Sequence, residues 1–293
     1  MPNLQLRRKK KLSPFRRMAI GTWQDAYDPS VYGTLRIRMD EAERYIQAFR
    51  KATGKRLTIS HMLAKSVAAV FEKMPDANAI LRWNRIYLRD RIGVFFQVVM
   101  EDPKTGEIDL SGCTIFEPEQ KTLVEIIDEF ERKTSKVRKG EDKDKERSRG
   151  MFRFLPSFML NATLKIISFL SYTLNLNLKW MGIPRDPFGS VMITNIGSIG
   201  LSQAYVPLVP YSRVPLLIAV GAVEDVPLVE DGQVTVGREM QLCATFDHRV
   251  LDGAHAAVMS KTMRTWLENP FDYFGPIPEE IEAPKALEAE AQS

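Results

Sequence analysis

The densest run of reactive side chains in the sequence is Thr245-Phe246-Asp247-His248-Arg249-Val250-Leu251-Asp252-Gly253-Ala254. It joins a β-type stretch to an apparently helical one, so four ionisable groups are wedged between elements that read as buried. Burying Asp247, His248, Arg249 and Asp252 together is costly unless each is paired or hydrogen-bonded, and a purely structural core rarely selects them. A neutral histidine can take a proton from a thiol or hydroxyl and later return it, and its ordinary pKa of about 6.5 suits that work near neutrality. His248 is the candidate base. Gly253 would permit a tight turn, and Ala254, Ala256 and Ala257 would let the next helix approach closely. His61 and His255 lie on helical stretches without a comparable charged setting and read as packed or solvated. Neither they nor Cys113 and Cys243 have the spacing of a zinc site or a disulfide framework, so no metal is expected.

The elements that must position this cluster are legible from periodicity. With 293 residues, 44% hydrophobic and 27% charged, the chain can build one large core. Residues 32–39 read as a strand, and Asp40 with Glu43 opens a helix that ends near Gly54, burying Tyr45, Ile46 and Phe49. A second helix over 58–74 carries Met62, Leu63, Val67, Val70 and Phe71 at helical spacing before Pro75. Strands are expected at 86–88 and 92–100, and a third helix opens at Pro118 and Glu119. Three later β runs, 190–196, 214–223 and 233–246, include a pair joined by the turn Glu230-Asp231-Gly232. This interleaving makes the class α/β. A folded body is expected over 12–275, preceded by a solvated basic arm at 1–11 and followed by an acidic disordered tail at 276–293. The first 17 residues hold seven Lys or Arg and no acid, which is not a signal peptide, so the expected location is cytoplasmic. The net charge of +4 is modest and has no clustered basic face with a reading motif, so nucleic acid is not an expected partner.

The stretch 151–181 is the most hydrophobic. Read as one helix, it places Leu160, Leu164, Ile167, Leu170, Leu174, Leu178 and Met181 on one stripe and Asn161, Lys165, Ser168, Tyr172, Asn175 and Lys179 on the other. Lys165, Asn175 and Asn177 interrupt it too often for a membrane span. It reads first as an amphipathic helix packed on the body or on another subunit. The other readings are an interfacial helix that, with the basic arm, gives peripheral membrane contact, and a lid over a long apolar substrate.

The motif Asp247-His248-Arg249-Val250-Leu251-Asp252-Gly253 resembles the signature of the dihydrolipoamide acyltransferase catalytic domain of 2-oxo acid dehydrogenase complexes. Similarity extends to Gly189-Ser190-Val191-Met192-Ile193-Thr194-Asn195-Ile196-Gly197, to Ile218-Ala219-Val220-Gly221-Ala222, and more weakly to Leu12-Ser13-Pro14-Phe15-Arg16-Arg17 and Pro75-Asp76-Ala77-Asn78-Ala79. The resemblance implies a chloramphenicol acetyltransferase-like two-layer sandwich with a mixed sheet, built as a homotrimer with each active site between subunits. It implies a coenzyme A-dependent acyltransferase that uses coenzyme A or acyl-coenzyme A as substrate. His248 would be the base and Thr194 the hydroxyl that hydrogen-bonds the oxyanion. Asp252 would orient the turn through a salt bridge to Arg16, with Asp247, Arg249, Gly253 and Asn195 in support.

Two departures bear on the substrate. No stretch reads as a lipoyl domain, so a lipoyl group is expected on a separate protein, and a small-molecule acceptor is the alternative. The insert at 151–181 stands where the family has a short connection, and the family's Gly-Leu-x-Val-Pro-Val segment is replaced by Gly106-Glu107-Ile108-Asp109-Leu110-Ser111-Gly112, so no coenzyme-binding residues can be assigned. The functional reading is acyl transfer between coenzyme A and a thiol, hydroxyl or amine. The alternative is a noncatalytic trimeric or membrane-associated scaffold of the same fold.

Overall fold

The computed structural model describes residues 2–10, 29–101, 108–138 and 156–277. A six-stranded mixed sheet has the order β2-β9-β8-β7-β5-β6, made from β2 (Ser30–Arg38), β5 (Gly93–Glu101), β6 (Ile108–Phe116), β7 (Val191–Asn195), β8 (Leu216–Glu230) and β9 (Gln233–Asp247). The pairs β5–β7 and β7–β8 are parallel and the others antiparallel. A small sheet, β1-β4-β3, combines β1 (Leu6–Arg8), β3 (Ala79–Arg82) and β4 (Arg85–Arg89).

Helices cover one face of the large sheet. The alternation that sends Val191, Ile193, Leu216, Ile218, Leu242 and Phe246 to that face packs them with α1 (Asp40–Thr53), α2 (Ile59–Lys73), α3 (Leu123–Arg138) and α5 (Gly253–Glu268) in one core. α1 buries Tyr45, Ile46 and Phe49 and closes on Gly54 in the left-handed conformation, φ 66°. α2 starts at Thr58, whose N–H donates to His61 Nδ1 at 3.3 Å. α3 begins at Leu123, later than expected: Pro118–Gln120 forms a separate 3-10 turn, and Thr122 with Glu125 supplies the cap. The β8–β9 hairpin turns on Asp231 and Gly232, both at positive φ (49° and 78°), the geometry that matches the twist of the strands.

Two expectations fail. Residues 2–10 are not a solvated arm: Asn3 and Leu4 are buried, and β1 pairs with β4. The reason is a polar clamp in which Asn175 Nδ2 donates to the Leu4 carbonyl (2.9 Å), Asn175 Oδ1 accepts from Leu4 N–H (2.6 Å), and Asn3 Nδ2 donates to Ser171 O (3.2 Å). The insert is also not one helix. α4 (Ser157–Ser168) runs into a π-helical turn, Phe169–Thr173, and the chain then leaves helical geometry at Asn175, φ 58°. The wider π turn rotates the stripes beyond Phe169, so Tyr172 is buried while Leu174 is exposed; Ser168, at the end of α4, is also buried. The mixed-charge stretch and the acidic tail lie outside the described residues, except that α3 extends through Arg138 and the last described residue is Ile277.

Candidate active site

β9 delivers the reactive cluster. Its last residue, Asp247, is anchored by its N–H to Pro215 O (2.9 Å), and its carbonyl accepts from the N–H groups of Val250 and Leu251 (both 2.9 Å), which folds the chain back at once. Arg249 grips the Asp247 carboxylate twice, Nε to Oδ1 at 2.9 Å and Nη2 to Oδ2 at 2.7 Å, with both side chains more than nine-tenths buried (7% and 8% exposed). That bidentate pair satisfies the two charges whose burial the sequence made conspicuous.

His248 stands between them, half-buried, with its N–H held by Pro29 O at 2.8 Å. Its Nδ1 lies 2.9 Å from the carbonyl of fully buried Leu251. A carbonyl only accepts, so Nδ1 carries the proton and the lone pair is on Nε2, the tautomer a base requires. Asp252 then caps α5: its carboxylate accepts from Ala254 N–H (3.1 Å) and His255 N–H (3.2 Å) and pairs with His255 Nδ1 (2.7 Å). His255 is therefore part of the cluster, contrary to expectation. The spacing Asp252-x-x-His255, an N-cap residue and its N3 partner, was the overlooked signal. Arg16, the expected partner of Asp252, lies outside the described residues. Gly253 is not demanded by this chain, because a Cβ there would meet nothing within 4 Å.

Thr194 is half-buried near the end of β7, and its hydroxyl bonds no other group among the described residues. Asn195 shapes the next turn, accepting from Ser198 N–H at 3.0 Å. The sheet does not bring Thr194 and His248 together. Thr194 is level with Ala219 on β8 and through it with Cys243 on β9, five residues before His248 and two strands away. At strand spacings that is roughly 15–20 Å, too far for one chain's His248 and Thr194 to address one reacting carbonyl.

His61 is a structural histidine. It packs against Phe130 and Phe96 with ring centroids 4.9 and 6.1 Å away, and burial, then the charge of Arg56, lowers its pKa to about 4. Among the described residues no group of three or more His, Cys, Asp or Glu side chains could hold a metal.

A profile of the 2-oxoacid dehydrogenases acyltransferase (catalytic domain) family matches residues 5–154 and 188–274. The chain belongs to this family. Its expected two-layer sandwich with a mixed sheet is the fold observed. The unmatched residues between the two segments contain most of the insert. The dihydrolipoyllysine-residue acetyltransferase component of the acetoin cleaving system of Bacillus subtilis (strain 168) is 23% identical over 217 residues, 74% of this chain and 43% of that protein. The chain thus spans less than half the length of this curated relative. Among solved structures, the cubic core of the pyruvate dehydrogenase multienzyme complex superposes with a TM-score of 0.59 at 20% identity, covering 90% of this chain and 93% of that one. The dihydrolipoamide acetyltransferase of Azotobacter vinelandii has the same TM-score at 19% identity and the same coverage. In that enzyme a serine, a histidine and an asparagine four residues after the histidine were investigated for roles in the catalytic mechanism.

Proposed function

We propose that this acyltransferase domain moves an acyl group between coenzyme A and a thiol, hydroxyl or amine, with His248 of one copy and Thr194 of an adjacent copy forming each site. The observation that carries the reading is the His248 Nδ1 contact with Leu251 O, which leaves the lone pair on Nε2 within the family's signature turn. In the thiol case Nε2 takes the acceptor's S–H proton, and the sulfur attacks the thioester carbonyl and forms the new C–S bond. The oxyanion accepts the Thr194 O–H bond. Collapse breaks the bond to the coenzyme A sulfur, which leaves with the proton from His248. The Azotobacter enzyme's histidine and the asparagine four residues on support the assignment of His248 and Asp252, and its serine, a hydroxyl like Thr194, supports the oxyanion role.

The separation of Thr194 and His248 within one chain supports a homotrimer with shared sites, and a lipoyl group on another protein or a small molecule would be the acceptor. The test is coenzyme A release from short and long acyl thioesters with dihydrolipoamide and without acceptor. Acceptor-dependent release by wild type, lost in a folded and assembled His248→Ala variant, is the expected result. Release that persists in the variant would refute the role of His248.

A second reading, a scaffold attached to a membrane surface, is favoured by exposed Trp180 (72%), Trp83 (58%) and Ile166 (57%) on and beside the insert, where residues 151–185 contain no acid. Among the described residues, no helix is long and apolar enough to cross a membrane. Sedimentation with anionic vesicles tests it. Binding lost in Trp180→Ser and Ile166→Ser variants supports attachment, and no binding by wild type excludes it.

A further inference from the structure

The insert does more than cover the body: it builds a wall of a cavity of about 620 Å³ behind the catalytic turn. α4 and the residue after it contribute Leu164, Ser168 and Phe169, and facing them are Leu208, Val214 and Val250. Asp247 and Arg249 reach the cavity but His248, between them, does not line it. The volume is that of a small-molecule site. The α4 wall lies in the part of the chain that the family profile leaves unmatched, so the cavity in this form comes with the insertion.

Among the described residues that line it, this apolar space holds more positive than negative charge. Arg213 enters it from the loop before β8 with a left-handed backbone, φ 56°, and donates from Nε to Ser168 Oγ (3.1 Å) and from Nη2 to Thr173 Oγ1 (3.4 Å). Both partners are neutral, and among the described residues no carboxylate pairs with Arg213. The Asp247 carboxylate that shares the cavity is held by both arms of Arg249 and so is already balanced. Lys165 adds a second cation to the lining. Burial, then the charge of Arg249, lowers the Arg213 pKa, but a guanidinium stays protonated, so the cation persists with no carboxylate partner among the described residues.

We infer that this cavity is a binding site for a single-chain amphiphile with an anionic head, a fatty carboxylate being the simplest, whose hydrocarbon lies between Leu164, Phe169 and Val214 and whose head meets Arg213. A guanidinium matches a carboxylate or phosphate head, and the apolar walls favour an unbranched chain over a compact polar metabolite. The inference does not depend on acyl transfer, because it uses neither His248 nor Thr194.

Isothermal titration calorimetry on the full chain tests it with four probes below their micellar concentrations: octanoate, octyl phosphate, octanol and octyltrimethylammonium. Octanoate or octyl phosphate, whichever head is preferred, is expected to saturate one site per chain and to bind at least tenfold tighter than octyltrimethylammonium. Arg213→Gln is expected to weaken the anionic probes at least tenfold and leave octanol unchanged, whereas Arg213→Lys keeps the preference. Leu164→Trp, which fills the cavity, is expected to abolish binding of all probes. Because Arg213 also ties Ser168 to Thr173, melting curves without ligand identify any variant that fails to fold, and the Arg213→Lys and Leu164→Trp pair then decides. Absence of saturable binding of both anionic probes, equal affinity for the cationic one, or binding unaffected by Leu164→Trp would overturn the inference.

Discussion

Replacing His248 by alanine removes the proton acceptor and the single bond from its ring to Leu251 O, but keeps the Asp247–Arg249 pair and the backbone bonds that fold the turn. The kcat is expected to fall by about 10²- to 10⁴-fold, with the melting temperature close to that of wild type. Thr194→Ala should lower kcat by about 10²- to 10³-fold while Thr194→Ser keeps most of the rate, because only the hydroxyl is used. Asp247→Ala has the opposite signature: it leaves Arg249 buried without its carboxylate and is expected to cost about 3–5 kcal/mol of stability in urea unfolding. At Asp252 alanine should cost about 0.5–2 kcal/mol through the lost cap, whereas asparagine, an equally good capping residue, should stay near wild type. The motif from Asp247 to Gly253 could be singled out from sequence because four ionisable residues beside buried-looking runs are rare. Thr194 is singled out only through the family resemblance, since a strand threonine is unremarkable until the downstream motif gives it a role. Arg213 gave no sequence signal either, because its isolation from carboxylates is set by partners some forty residues away, at Ser168 and Thr173.

Elements with strong local rules are legible in the sequence. α1 carries its acids in the first turn and a glycine at its end, and the β8–β9 hairpin carries Asp231-Gly232 where both central residues need positive φ. Gly232→Ala keeps the hairpin but puts a Cβ in the left-handed region, and is expected to lower stability by about 1 kcal/mol in thermal unfolding. The insert departs from its expected single helix because apolar periodicity assumes a constant turn, and nothing local in Phe169-Leu170-Ser171-Tyr172-Thr173 announces a π turn. The ordered start of the chain is hidden in the sequence because the charges around β1 outweigh the one buried leucine before it, Leu4, and the asparagine that clamps Leu4 lies about 170 residues downstream.

At the level of the whole molecule, the proposed division of the site between copies predicts that it can be reconstituted from inactive parts. His248→Ala and Thr194→Ala chains, unfolded and refolded together in equal amounts, are expected to recover about a quarter of wild-type activity in a closed ring, and no recovery would place both groups in one chain. Acid sensitivity follows from the core. His61 is neutral when folded, with its pKa lowered to about 4 against an ordinary value of 6.5, so the unfolded chain binds the extra proton first as pH falls. The full contribution is present above about pH 6.5 and is lost progressively down to about pH 4, roughly 3 kcal/mol in all. His61→Gln, which can still serve the Thr58 cap, should flatten that dependence in urea titrations across this range. The large sheet also sets an order in time. Among the described residues β2 pairs with β9 alone, with Ser30 opposite Asp247, so a strand made early waits for one made near the end. At ribosomal speeds of about 5–20 residues per second that interval is about 10–40 s. During it β2 has an open edge and the large sheet is incomplete beneath α1, so a nascent chain is expected to expose apolar surface of the kind chaperones hold until β9 arrives.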